Sequence, residues 1–165
     1  MSELTTLVTP EMEALKGVWV DEEVSYPVSA SDIRKWAIAV YWDKTPPRIF
    51  WDQEYAATTK WGGIIAPEDF NPFAWAVPDG SPPELAGALP GQDVEKGGNI
   101  LNGGIVDTFG AKIRPGDVIT SRTRLSHWEE RTGRHGLTLY TYNEIEWRNQ
   151  RDEHVKTRVL TLIRY

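Results

Sequence analysis

Apolar and polar positions change rhythm along the chain. In "VSASDIRKWAIAVYW", Ile33, Trp36, Ala37, Val40 and Tyr41 fall at i, i+3, i+4, i+7 and i+8, which makes one apolar stripe of a helix. Ser29 and Asp32 precede it at capping-box spacing, with Asp in place of the usual Glu or Gln. Pro46 and Pro47 bar its continuation. Asp52 is placed to cap a second short helix, "QEYAATTKW", that stops before Gly62 and Gly63. After "GGIIAP", Pro67 suits a first helical position, and a third helix is predicted over 67–77, interrupted or restarted by Pro72. Residues 78–98 are rich in Pro and Gly, show no period, and read as a long loop.

Beyond that loop the period becomes two. "GIVDTFGAKI", "DVITSRTRLSHWEE", "GLTLYTYNEIEWRNQ" and "HVKTRVLTLIRY" are β-rich runs, separated by the turns "RPGD", "RTGRHG" and "NQRDE". In the third run Leu137, Leu139, Thr141, Asn143, Ile145 and Trp147 share one face. Thr138, Tyr140, Tyr142, Glu144 and Glu146 share the other. An earlier strand, "GVWVDEEVSY", precedes the helices. Helices and strands are segregated along the chain, so the class is α+β. A long, twisted antiparallel sheet has an apolar face to cover, and the helix at 67–77 is the element to lie across it. That is the hot-dog arrangement.

Composition narrows the function. The 165 residues suit one domain, read as 1–165, and need no covalent staples. There is no cysteine, and His127, His135 and His154 have spacings that fit no metal motif, so neither a metal nor another cofactor is expected. A net charge of −6 and a pI of about 5.1 argue against a nucleic-acid surface. No run approaches the length of a membrane span, and "MSELTTLVTPEMEALKG" lacks the flank and core of a signal peptide. A cytoplasmic protein with no membrane partner is expected. Eight tryptophans point as a group to a large apolar pocket or a subunit interface.

The segments "SASDIRKWAIAV", "YAATTKWGGIIAPEDF", "LNGG", "KIRPGD" and "GRHGLTLYTYNEIEWRNQRDEHVKTRVLTLI" occur in an order and spacing that resemble the MaoC-like hydratases and dehydratases. The likeness is to the branch known as the FAS1-like, or MaoC N-terminal, dehydratase domain, and it runs from about Trp19 to Tyr165. The resemblance implies a hot-dog fold. It also implies reversible loss of water from a 3-hydroxyacyl thioester of coenzyme A or acyl carrier protein, without a cofactor.

Such a reaction removes a proton beside the thioester carbonyl and protonates the departing hydroxyl, work suited to a histidine beside an ordered aspartate. Catalytic relatives resemble "D-x-N-P-I-H-x-D". Here "DKTPPRIFWD" begins with Asp43 and ends with Asp52, two residues longer, and the histidine position falls near Arg48 or Phe50. Arginine stays protonated and phenylalanine does not titrate. Where relatives resemble "A-H-G", this chain has "APED", Ala66 to Asp69, so Pro67 brings no N–H. The resemblance thus implies Asp43 and Asp69 as catalytic candidates, Asp69 or Glu68 being either helix N-terminal residues or a general base or nucleophile. Substrate-binding candidates are Trp51, Phe70, Asn71 and Trp75 around the expected central helix, Asn99 and Asn102 in "NILNGG", and Arg114 in "RPGD". Core packing accounts for the aromatic ones equally well.

In this branch the missing Asp/His pair commonly resides on a second hot-dog. The expected function is therefore a subunit of a 3-hydroxyacyl-thioester dehydratase, or (R)-specific enoyl-thioester hydratase, that forms half of an acyl tunnel. It would act as a homodimer or as a heteromer with a MaoC-like catalytic subunit. The rivals are an acyl-CoA thioesterase using a carboxylate near the central helix, and a non-enzymatic acyl-thioester-binding module.

Overall fold

The computed structural model describes residues 6–75, 99–134 and 136–165. The expected loop at 78–98 lies outside the described residues. In chain order come α1 (Pro10–Leu15), β1 (Val20–Val24), α2 (Ala30–Val40), a 3-10 turn (Arg48–Phe50) and α3 (Gln53–Thr58). Then follow β2 (Ile100–Phe109), β3 (Ile119–Gly133), β4 (Gly136–Asn149) and β5 (His154–Arg164). The strands form one sheet in the order β1-β3-β4-β5-β2, and every neighbouring pair is antiparallel. This is the expected α+β hot-dog sheet. None of the helices among the described residues is long and apolar enough to cross a membrane.

Local chemistry sets the helix starts. Ser29 Oγ accepts from the Asp32 N–H and donates to its carboxylate at 2.7 Å, so the box closes through the two side chains. Asp52 accepts from the Tyr55 N–H at 3.0 Å and starts α3. Thr9 caps α1, with Pro10 in its first turn, an element the sequence reading did not include.

One helix is corrected. Residues 67–75 form turns, with the Phe70 N–H bonded to the Pro67 carbonyl and the Ala74 N–H to the Asn71 carbonyl. Asn71 precedes Pro72, and a residue before proline is turned away from the helical region. The Asn71 side chain also accepts from the Phe73 N–H at 3.0 Å, a local bond that competes with the helix. Residues 76 and 77 lie outside the described residues.

The segment still covers the sheet. Phe70 is buried in a cluster with Val28, Ile33, Ile64, Ile113, Ile119 and Val155, and Phe73 meets Trp147 edge-on at 5.7 Å. A second cluster fills the other end of the same sheet face, where Met12 of α1 packs on Leu125 and Leu139. Along β4 the buried positions Leu139, Thr141 and Asn143 belong to the face expected to be covered. The opposite face carries Arg122 and Arg148 on Glu146, Arg124 on Glu144, and Trp19, over whose ring the guanidinium groups of Arg122 and Arg124 lie.

The edge strands have their own irregularities. The expected bulge in "LNGG" lies between Asn102 and Gly104, where Gly104 has φ 126°. A Cβ on Gly103 would meet Ile163 and Thr161 at 2.9 Å, so close packing on β5 accounts for that glycine. None of the eight tryptophans is fully buried, and Trp42, Trp51 and Trp75 are exposed.

Candidate functional site

The segment from Asp43 to Asp52 joins α2 to α3 and is held by its own contacts. The Trp51 indole N–H donates to the Pro46 carbonyl at 3.0 Å, bracing the Pro46–Pro47 turn. Arg48 grips the Asp52 carboxylate through Nε and Nη2, at 2.9 and 2.6 Å. The Tyr55 N–H and then Arg48 hold the Asp52 carboxyl below its ordinary value. Asp52 matches the last acid of the family segment in position, but its carboxylate is engaged in capping α3 and pairing with Arg48. Asp43 lies exposed in the turn after α2.

A cleft of about 390 Å³ opens between the end of α2, the 3-10 turn and the segment that begins at Ile65. Val40, Tyr41, Phe50, Ile65 and Pro67 wall it, and Glu68, Asp69 and Lys112 bring charge to it. Lys112 pairs with Glu68 at 2.5 Å and keeps about a fifth of its side chain exposed (21%). Its place in the β2–β3 connection is fixed because the Ala66 N–H bonds to the carbonyl of the next residue, Ile113, at 2.8 Å. Lys112 therefore offsets Glu68, and Asp69 stands beside this pair as a second carboxylate. A carboxylate can take a proton, and a nearby ammonium can balance a developing oxyanion.

A second cleft, of about 640 Å³, lies on the other side of the same segment. Phe70, Phe73 and Trp75 face Val24, Tyr26 and Val28 across it, with Asp32 and Lys35 of α2 at its polar side. Its size lies in the range of small-molecule sites. Trp36 of α2 meets Phe70, which lines this larger cleft, edge-on at 5.7 Å. The Trp36 indole N–H is buried and has no hydrogen-bond partner.

The sequence-predicted residues are therefore distributed. Asp69 lines the smaller cleft, and Phe70 and Trp75 line the larger. Asp43 and Trp51 belong to the adjoining α2–α3 connection and line neither cleft. Asn71 is engaged with the Phe73 N–H. Asn99 pairs with Tyr165 through the backbone, and Asn102 accepts from the Gly104 N–H at 2.8 Å, both at the start of β2. The Arg114 guanidinium donates to the Trp61 carbonyl at 2.7 Å, while its N–H donates to Asp117. Asp117 is buried and also accepts from Gln150 and Arg151, which fixes the "RPGD" turn.

Sequence reasoning missed Tyr41 and Lys112 as cleft residues. Tyr41 was placed in the apolar stripe of α2, and Lys112 follows an unremarkable glycine-alanine pair, so only tertiary pairing reveals it. His127 stacks on Tyr142 at 4.1 Å, and His154 Nε2 lies 2.8 Å from Thr157 Oγ1. Neither lines either cleft, and His135 lies outside the described residues. Among the described residues no group of His, Cys, Asp and Glu could hold a metal ion.

Comparison with known proteins adds three findings. The family model described as FAS1-like, dehydratase domain region, matches residues 14–158. No curated protein matches the sequence. Among solved structures, the ChsH1-ChsH2 complex from Mycobacterium tuberculosis is similar with a TM-score of 0.66 and 17% identity, over 92% of this chain and 92% of that one. The HadBC 3R-hydroxyacyl-ACP dehydratase complex of the same organism, truncated at a C terminus, gives 0.55 and 18%, over 90% and 96% of the two chains. The MaoC-like dehydratase from Rhodospirillum rubrum gives 0.55 and 17%, over 87% and 89%.

Proposed function

The chain belongs to the FAS1-like dehydratase domain family, and from that premise we propose that it forms one half of a 3-hydroxyacyl-thioester dehydratase. In the reverse direction the same enzyme would be an (R)-specific enoyl-thioester hydratase acting on coenzyme A or acyl carrier protein thioesters. The observation that carries this reading is the chemistry of the smaller cleft. It has carboxylates and a lysine, while the two described histidines are engaged on β3 and β5. The proton-transferring Asp/His pair would then come from a second hot-dog subunit, with this chain supplying walls of the acyl tunnel.

The docking side is β2. It is a sheet edge of ten residues with Leu101, Ile105, Val106 and Phe109 exposed. A second strand laid along it would pair its free backbone groups and cover those side chains. The resemblance of the fold to chains from two heteromeric complexes supports a partner of this kind.

The test is hydration of crotonyl-CoA by the pure chain and by the chain co-expressed with a MaoC-like subunit that bears an intact Asp/His pair. Without its general base the lone chain should be slower by about 10²- to 10⁴-fold. Strong hydration by the chain alone, abolished in Asp43→Asn, would defeat the proposal.

A second reading is favoured by one observation, the exposed Asp69 in the charged cleft. There the carboxylate would serve a thioesterase as general base or nucleophile. Hydrolysis of acyl-CoA by the pure chain that disappears in Asp69→Asn would establish it instead.

A further inference from the structure

The larger cleft has walls that the fold holds firmly and rings that the fold does not use. On one side Ser25 is buried, and its Oγ accepts from the Ile119 N–H and donates to the Tyr26 carbonyl, both at 2.9 Å. Val28 is tied to the Arg114–Asp117 turn. Its N–H donates to the Asp117 carbonyl at 2.9 Å, and its carbonyl accepts from the Gly116 N–H at 2.8 Å. Between these anchors Tyr26 leaves 83% of its surface in solvent. On the other side Phe70 is sunk in the core and Phe73 leans on Trp147, while Trp75 stays 60% exposed. Tyr26 and Trp75 both line the cleft, and core packing explains neither ring. Exposed aromatic rings gathered around a concave surface are the mark of a binding site.

The charge at the cleft has a sign. The charged side chains that line it are Glu23 of β1 and Asp32 and Lys35 of α2. Asp32 is already engaged, with one oxygen accepting from Ser29 Oγ at 2.7 Å and the other 3.8 Å from Lys35 Nζ. Asp32 and Lys35 cancel, and the negative charge of the exposed Glu23 is left over. An anion would find its one cation shared with Asp32. A neutral apolar ligand would cover a carboxylate without compensating it. A cation gains twice, from the carboxylate and from the negative faces of the rings.

We propose that the larger cleft binds an organic cation, a substituted ammonium group carried on an apolar body. Tyr26, Phe73 and Trp75 supply the aromatic walls, Glu23 is the counter-charge, and the apolar body packs on Val24, Val28 and Phe70. The site shares no lining residue with the Asp69 cleft, and the proposal stands apart from the thioester reading. All of its residues belong to this chain, so binding needs no partner subunit.

The experiment is a saturation-transfer NMR titration of the pure full chain with three probes built on one phenyl ring. They are phenyltrimethylammonium, the neutral dimethylphenylcarbinol and the anion α,α-dimethylphenylacetate. The cation should bind about three- to thirtyfold more tightly than the alcohol, the range expected of an ammonium held against aromatic rings. The carboxylate should bind most weakly. Tyr26→Ala and Trp75→Ala remove exposed rings, so each should keep the wild-type Tm and weaken the cation by about threefold or more. Glu23→Gln should weaken the cation by roughly two- to fivefold and leave the alcohol unchanged.

Binding of the alcohol or the carboxylate as tight as that of the cation overturns the proposal. So does an absence of cation binding at millimolar concentration. Cation binding that survives both ring removals in folded protein lies elsewhere on the surface and overturns the cleft as its site.

Discussion

The two edges of the sheet are built on opposite plans. β1 has five residues, V-D-E-E-V, with a break in register between Val20 and Glu23 and a left-handed Asp21 at φ 54°. Its three consecutive acids and its kink repel or misalign an incoming strand. β2 is twice as long, and its one acid is turned back onto β5. Asp107 takes Arg158 through two hydrogen bonds of 2.8 and 2.7 Å and Lys156 at 3.3 Å. With its charge occupied there, the rest of the strand presents apolar side chains to solvent. One edge is closed to further strands, and the other is left ready for one.

Removing the inward tie should have the largest effect. Asp107→Ala leaves Lys156, whose side chain is 7% exposed, without its carboxylate. Loss of one partner from a buried pair destabilises by about 3 kcal/mol, to be read as a lowered urea midpoint. The bonds from Arg158, then Lys156, hold Asp107 below its ordinary carboxyl value of 3.8. Its contribution is therefore complete above that value and disappears as pH falls through the lower folded-state value. Asp107→Asn should accordingly flatten the wild type's stability loss below about pH 4. An unchanged acid limb would remove Asp107 from the account of β2.

Charge on the open edge should have the next largest effect. Val106→Lys should weaken pairing by about 2 kcal/mol, roughly thirtyfold in association constant, measured by analytical ultracentrifugation. Glu23→Lys on β1 should leave association alone. If the β1 change dissociates the assembly and the β2 change does not, the two edges have been assigned the wrong way round.

The smallest effect tests whether the kink in β1 is built in. A β-branched residue resists φ above zero, so Asp21→Val should cost about 1 kcal/mol. A more stable Asp21→Val protein would mean that β1 can straighten freely.

Legibility in the sequence followed the range of the interactions. Ser29 and Asp52 announce α2 and α3 because a cap bonds only two or three residues ahead. The long strands were readable from alternation, and the turn at Arg114–Asp117 from its Pro-Gly pair. The segment after Ile65 was half readable. Its apolar residues showed that it belongs over the sheet, as Phe70 does. Its conformation was decided by Asn71 before Pro72, where the sequence marked only an interruption or restart of a helix.

The candidate site was less legible for a related reason. Position in a motif marked both Asp43 and Asp52, yet the Asp52 carboxylate serves α3 and Arg48. Lys112 reaches the cleft across 44 residues of chain, through its pair with Glu68. The break in β1 depends on pairing with β3, about a hundred residues away.

The cover that α1 gives to one end of the sheet also constrains the order of assembly. Glu130 accepts from the Leu7 N–H across 123 residues of chain, and Arg164 donates to the Leu7 carbonyl across 157. The buried partners of Met12 are Leu125 and Leu139, which belong to strands translated late. At synthesis rates of about 5–20 residues per second, the first helix waits on the order of ten seconds for the surface it is meant to cover. Throughout that interval the Met12 side of α1 has no native surface to pack on. Although made before the strands it covers, α1 docks after them, and any stall before β4 leaves Met12 for a chaperone to hold.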